Sequence, residues 1–235
     1  MLTKSLSMSP VRPPVRLVAD NPDLPARKRL PRQEREKLIV DEAIRFFAEV
    51  GFEGQTRALA ERLGVTQPLL YRYFPDKSSL IDRVYQEVYL NRWNLAWDSL
   101  ITDRSRPLKD RLKIFYRQFY ENYYTYEGVR IFLFAGLKGL DLNTKGIQEL
   151  MHRAVLPICG EIRHQAGLPS PTETPLMPAE IETYWSMHSH FFYRSVRQHV
   201  YGLPITDDLD KTIDLHVGEY AERAPELFRK LHGKS

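Results

Sequence analysis

Between Gln55 and Lys77 the chain reads QTRALAERLGVTQPLLYRYFPDK, and its hydrogen-bonding and aromatic side chains are spaced for recognition rather than for catalysis. Leu59, Ala60 and Leu63 share one face of a short helix, and Leu70 and Phe74, four apart, share one face of the next. Pro68, Leu69 and Arg72 then point the other way, with Gln67, Tyr71 and Tyr73 on the flanks. Thr56 and Thr66 can each cap a helix, because a hydroxyl can accept one of the orphan backbone N–H groups. Gly64 ends the first helix and is expected at positive φ, and Pro68 falls in a first turn, where its missing N–H costs little. Two helices around a three-residue turn with glycine make a helix-turn-helix, whose second helix lies in the major groove of duplex DNA. The motif spans about residues 55–74.

Other elements must hold this unit. From Pro31 the apolar spacing of Ile39, Ala43, Phe46 and Phe47 predicts a helix stopped at Gly51, with Phe52 packing beneath. Pro75 breaks the second reading helix, and Asp76 or Ser78 can cap the next. The stripe Leu80, Ile81, Val84, Tyr85, Val88 and Tyr89 predicts a long helix running to about Leu100 through Trp93 and Trp97. Beyond it the spacing predicts helices over Leu108–Tyr126, Gly128–Gly139 (short, strongly apolar, therefore buried), Thr144–Ala166 and Ala179–Tyr201. Two more are predicted over Asp207–Arg223 and Pro225–Leu231. The proline-rich stretch Gly167–Pro178 reads as a loop. No strand pattern, repeat or glycine-rich phosphate loop interrupts this, so the expected fold is all-α.

The 235 residues suffice for one large or two small domains. The net charge of +4 is concentrated: residues 1–37 hold nine Lys or Arg against four acids, leaving the rest near neutral. A basic arm beside a neutral body suits an anionic polymer or surface. Residues 1–31, rich in proline, read as a disordered arm. Its Arg27, Lys28 and Arg29 either touch DNA or form an accidental cluster in a plain leader. The lone Cys159 allows no disulfide within the chain. With no long apolar run and no leader-like N-terminus, the reading is a cytoplasmic protein without a membrane partner.

At Gln55–Lys77 the residues resemble the TetR family of bacterial transcriptional regulators. The resemblance rests on Gly51-Phe52, Thr56-Arg57-Ala58-Leu59-Ala60, Gly64-Val65-Thr66, Leu70-Tyr71-Arg72-Tyr73-Phe74, Lys77 and Leu80, within a matched stretch of about Gln33–Trp93. The loop between Phe52 and Leu59 is a residue shorter than the family pattern. The resemblance implies an N-terminal three-helix DNA-binding domain, residues 32–92, joined by a long helix to a helical dimerisation and effector-binding domain, residues 93–235. It implies that Thr56 and Arg57 open a helix that meets phosphate, and that Thr66, Gln67, Pro68 and Leu69 fill the base-facing start of the recognition helix. It also sets Tyr71, Tyr73 and Lys77 on phosphates, with Arg72 suited to either task. Glutamine can pair bidentately with adenine, and Pro or Leu can touch a thymine methyl. The implied partners are a palindromic operator, a second copy of the chain, and a small apolar or aromatic effector. No cofactor is implied.

In the body, Tyr116, Phe119, Tyr120 and Tyr123, with Trp185, His188 and Phe192, are pocket candidates for such an effector, or else packing and interface. His188 and His190 are two apart and face different sides of a helix, which argues against a metal. No hydrolase, protease or nucleotide-binding fingerprint is present, so the chain does not read as an enzyme. Beside the regulator stands an architectural DNA-binding dimer without sequence preference or effector.

Overall fold

A computed structural model describes residues 31–206 and 208–233. The basic cluster Arg27–Arg29 and the arm that carries it lie outside those residues. Among the described residues every regular element is helical, in the order α1 (Arg32–Val50), α2 (Thr56–Leu63), α3 (Gln67–Tyr71), α4 (Lys77–Val88), α5 (Ala96–Thr102), α6 (Leu108–Tyr123), α7 (Tyr126–Leu137), α8 (Leu142–Leu150), α9 (Leu156–Ala166), α10 (Pro178–His199), α11 (Leu209–Ile213) and α12 (Glu219–Leu231). They form two compact units that divide between Val88 and Tyr89.

The first unit is α1 to α4. Ile39, Val40, Ala43, Phe46 and Phe47 bury one side of α1 against Leu59, Leu63, Leu70, Phe74, Leu80 and Val84. Each such side chain contributes roughly 2 kcal/mol on leaving water. Gly51 stops α1 at φ 74°, its N–H donating to the Phe47 carbonyl, and the Phe52 ring sits 5.3 Å from that of Phe47. A polar lock fixes α2 on α1: the Arg62 guanidinium reaches buried Glu42 at 2.7 Å and Glu49 at 2.5 Å. Glu42 also takes Arg45 at 2.9 Å. The hydrogen bond to Glu49 leads the effects that raise the Arg62 pKa.

Asp76, not Ser78, caps α4, its carboxylate accepting from the Ser79 N–H at 2.7 Å. The single long helix expected from there to Leu100 does not form. Tyr89 leaves helical geometry at φ −121°, a short 3₁₀ turn follows at Leu90–Arg92, and Trp93 is extended. The Asn94 side chain accepts from the Ala96 N–H at 3.0 Å, which offers the backbone an alternative to helix and restarts the chain as α5.

The second unit packs α5 to α12 around Trp97, Phe115, Tyr116, Tyr184, Phe191 and Phe228, all buried. α8 and α9 are one continuous rod with a π turn at Met151–Val155, where the Leu156 N–H donates to Met151, five residues back. The widening precedes Pro157, which has no N–H to give. At the C-terminal end, the expected break before Pro225 is absent. α11 and α12 run on through a second π turn at Asp214–Gly218, and Pro225 sits inside α12. Burial of Ala221, Ala224, Pro225 and Phe228 on one face offsets the lost hydrogen bond. α7 also differs from expectation. Gly128, Ile131 and Ala135 are buried, but Phe132 and Phe134 are half-buried and Leu137 is 86% exposed, so only one side of this apolar helix packs.

The loop before α10 is pinned from within. Arg163, with no exposed side-chain surface, makes a bidentate pair with Glu180, its Nε at 2.7 Å and Nη2 at 2.6 Å. It also donates to the carbonyls of Pro169, Thr174 and Pro175. Glu180 further accepts from the Met177 N–H and faces His232. Among the described residues no helix is long and apolar enough to cross a membrane.

Candidate nucleic-acid interface and ligand cavity

In the first unit, Thr66 stands at the N-cap of α3 in extended conformation, φ −81° and ψ 147°, but its hydroxyl makes no capping bond. Gly64 takes the left-handed geometry, φ 67°, that turns α2 toward α3. With Leu70 and Phe74 buried, Thr66, Pro68, Tyr71 and Arg72 are exposed, and Gln67, Leu69, Tyr73 and Lys77 are half-buried. Backbone bonds from Arg72, Tyr73 and Phe74 back to Pro68, Leu69 and Leu70 carry the turn beyond the end of α3.

Thr56 differs from its neighbours. It is the first residue of α2, with Gln55 at the cap, and its side chain is buried and does not cap the helix. Its hydroxyl instead accepts from Gln67 Nε2 at 2.9 Å and lies 3.0 Å from the Tyr71 hydroxyl. The three side chains tie the start of α2 to the start of α3 and set the Gln67 amide before any ligand arrives. Arg57 is exposed and paired with Glu61 at 3.2 Å, a surface pair worth a few tenths of a kcal/mol. Arg72 and Lys77 have no ion pair among the described residues, and the Arg32 guanidinium lies 5.8 Å from the Tyr73 ring. The surface thus offers amide, hydroxyl and apolar groups at its centre with cations around them. Amide and apolar groups suit base edges, and cations suit phosphates.

The second unit encloses a cavity of about 270 Å³. Five of the seven pocket candidates line it: Phe119, Tyr123, Trp185, His188 and Phe192. Tyr116 and Tyr120 do not. Tyr116 is packed in the core behind His188, and the Tyr120 hydroxyl is taken by Arg194. The rest of the wall includes Tyr89, Trp93, Tyr124, Phe132, Ile147 and Leu150. Tyr89 and Trp93 were hidden by their helical spacing, which placed them on one long rod. Ile147 and Leu150 lay on the visible apolar face of their helix.

His188 is the polar centre of this aromatic wall. Its Nε2 is 2.9 Å from the Tyr124 hydroxyl and its Nδ1 is 3.3 Å from that of Tyr116. Its ring stacks on Tyr184 at 5.6 Å. Burial lowers its pKa to about 4, so the imidazole is neutral at pH 7. A neutral ring has one donor and one acceptor, so one tyrosine donates to it and the other accepts. Burial likewise holds the Tyr116 and Tyr124 phenols above their usual range. Burial also pushes the Cys159 thiol up to about 12, away from reactive thiolate. Among the described residues no group of three or more His, Cys, Asp or Glu is arranged to hold a metal.

Residues 39–84 match the family model described as bacterial regulatory proteins, tetR family. The tetracycline repressor protein class C of Escherichia coli is 49% identical over 45 residues, 19% of this chain and 20% of that protein. The chain therefore spans about a fifth of that relative's length in the match. Over nearly the whole fold, the chain is similar to a TetR-like transcriptional regulator from Rhodococcus sp. RHA1, with TM-score 0.57 and 17% identity over 88% of this chain and 100% of that one. A putative TetR-family regulator from Mesorhizobium loti MAFF303099 gives TM-score 0.53 and 12% identity over 84% and 98% of the two chains.

Proposed function

Because residues 39–84 match the tetR family model, we propose that the chain is a TetR-family, sequence-specific transcriptional regulator, a repressor released from a palindromic operator by a small ligand. The observation that carries this is the exposed ridge Thr66, Pro68, Tyr71 and Arg72 around a Gln67 already held by Thr56. In this reading Gln67, with Pro68 and Leu69, meets base edges, while Arg57, Tyr73 and Lys77 grip phosphates.

One such reader is not enough for a palindrome, since two half-sites need two recognition helices. The chain therefore acts as a homodimer, paired through α10 and α12. Exposed Tyr193 on α10, with Leu215 just ahead of α12 and Leu227 on it, supports that choice. The effector is a flat, apolar or aromatic molecule in the cavity, matched to its aromatic wall. It acts by binding the DNA-competent and DNA-incompetent states with different affinity. The protein works in the cytoplasm.

The test is competition in a gel shift, with purified protein on its own upstream DNA at physiological salt. A palindromic site should compete far better than random DNA. Equal competition would sink the specific regulator and leave the architectural binder.

A further inference from the structure

We propose that the cationic recess between α10 and the helix that follows it is a second ligand site, built for the carboxylate or phosphate group of a small anion. His190, Arg194 and Arg197 lie at i, i+4 and i+7 of α10, so they share one face. Lys211 and His216 close the recess from the other side, around a space of about 270 Å³. His188 and Phe192, offset by two residues, enter the aromatic cavity from the opposite face of the same helix. The two sites are therefore distinct and share one rod.

Arg194 carries the argument. Its side chain is only 4% exposed, yet it makes no ion pair among the described residues. Its two terminal nitrogens donate to the Tyr120 hydroxyl and the Thr206 carbonyl, both neutral. Its Nε has no partner among the described residues, and the buried Nε of Arg197 has none either. A guanidinium removed from water without a counter-charge is costly, and an oxoanion seated in the recess beside Arg194 and Arg197 offsets that cost.

The surrounding charges point the same way. The rings of His190 and His216 are 3.4 Å apart between centroids. Burial first, then the positive charge of His216, Arg197 and Arg194, holds the His190 pKa below its usual value. The acid that does line the recess, Asp208, is already engaged: it pairs with Lys211 at 2.8 Å and accepts the Lys211 N–H at 2.9 Å. Arginine, lysine and two crowded imidazoles repel a cation, so a metal is not the occupant.

The arginine Nε–H resonances of the full chain report the site directly. Titration with inorganic phosphate and, separately, with sodium acetate should move the Arg194 and Arg197 signals saturably, while sodium chloride at matched ionic strength should not. The two salts distinguish a phosphate from a carboxylate occupant. Acetate keeps its charge from pH 8 to pH 6, so tighter acetate binding at pH 6 would report protonation of His190 and His216. Because Arg194→Gln threatens folding, the variants are Arg197→Gln and His216→Gln, and Arg197→Gln should weaken binding about tenfold. Shifts equal to those in chloride, or binding unchanged in both variants, would overturn the proposal.

Discussion

The Thr56 hydroxyl accepts from Gln67 Nε2 at 2.9 Å across the turn between α2 and α3. Gln67 Nε2 also lies 3.4 Å from the Tyr71 hydroxyl, so both amide N–H groups have partners and the side-chain carbonyl is the group left to accept.

If Gln67 reads a base, Gln67→Ala should lower discrimination at one operator position by about 1–3 kcal/mol and leave the other positions unchanged. Thr56→Val keeps the volume but removes the acceptor, and it should cost about 1 kcal/mol of operator affinity. The informative measurement is the double-mutant cycle on operator DNA. Additive losses would show that Thr56 does not act through Gln67.

Lys77 opens α4, where a cation works against the helix dipole, and it has no ion pair among the described residues. Lys77→Ala should weaken binding to every DNA sequence alike. It should also reduce the slope of log K against log salt by about 0.9 for the one phosphate lost. Affinity that does not change in Lys77→Ala removes its phosphate role.

Local rules made part of this legible. Leu70 and Phe74 faced inward because they are four apart, and Gly64 took positive φ because a two-helix turn requires it. The contacts that span the chain were not legible. The Thr56–Gln67 bond joins residues eleven apart through a turn whose angle no spacing reports. The Tyr89, Trp93 and Trp97 spacing fits a helix, yet Asn94 offers its side chain to the backbone and ends it. Pro225 reads as a stop, but burial of Phe228 and Ala221 on the same face outweighs one missing N–H. Tyr116 and Tyr123, on the same helix, looked alike. Only the position of α10 decides that one supports His188 from behind while the other faces the cavity.

His188 makes stability depend on pH. Its folded pKa is lowered to about 4, while the unfolded value is about 6.5. The unfolded chain therefore binds the extra proton between those values. The neutral ring's contribution is fully present above about pH 6.5 and is lost as pH falls toward 4. Denaturant melts should show a fall of a few kcal/mol across that window, to which His190, His199 and His216, also lowered, add. His188→Gln should flatten the curve. An unchanged pH dependence in that variant would mean that the ring is not buried neutral.

Trp93 and Trp185 both line the cavity, so their emission should respond to an apolar aromatic probe such as 1,8-ANS in the native protein. Filling the space with Ser189→Trp, from an exposed α10 position at the cavity wall, should abolish the response without lowering stability by more than about 1.5 kcal/mol. A full response in that variant places the probe elsewhere.

The Arg163–Glu180 pair should matter far more than the surface pairs. Arg57 and Glu61 are mostly exposed, and breaking them should cost no more than about 0.5 kcal/mol. Arg163 and Glu180 have no exposed side-chain surface, so Arg163→Met strands a buried carboxylate and three loop carbonyls, and should cost about 3–5 kcal/mol. Burial alone would raise the Glu180 pKa, but the bonds from Arg163, the Met177 N–H and His232 outweigh it and leave the pKa lowered. A depressed carboxylate stabilises the fold above its unfolded pKa, about 4.3, and that contribution disappears as pH falls through the folded value. Arg163→Met should therefore also lose this acid limb. Replacing both residues, as Arg163→Met with Glu180→Leu, should recover much of the loss at pH 7, since no charge is then left unpaired. A double variant no more stable than Arg163→Met would show that the bonds to the loop, rather than the ion pair, dominate the cost.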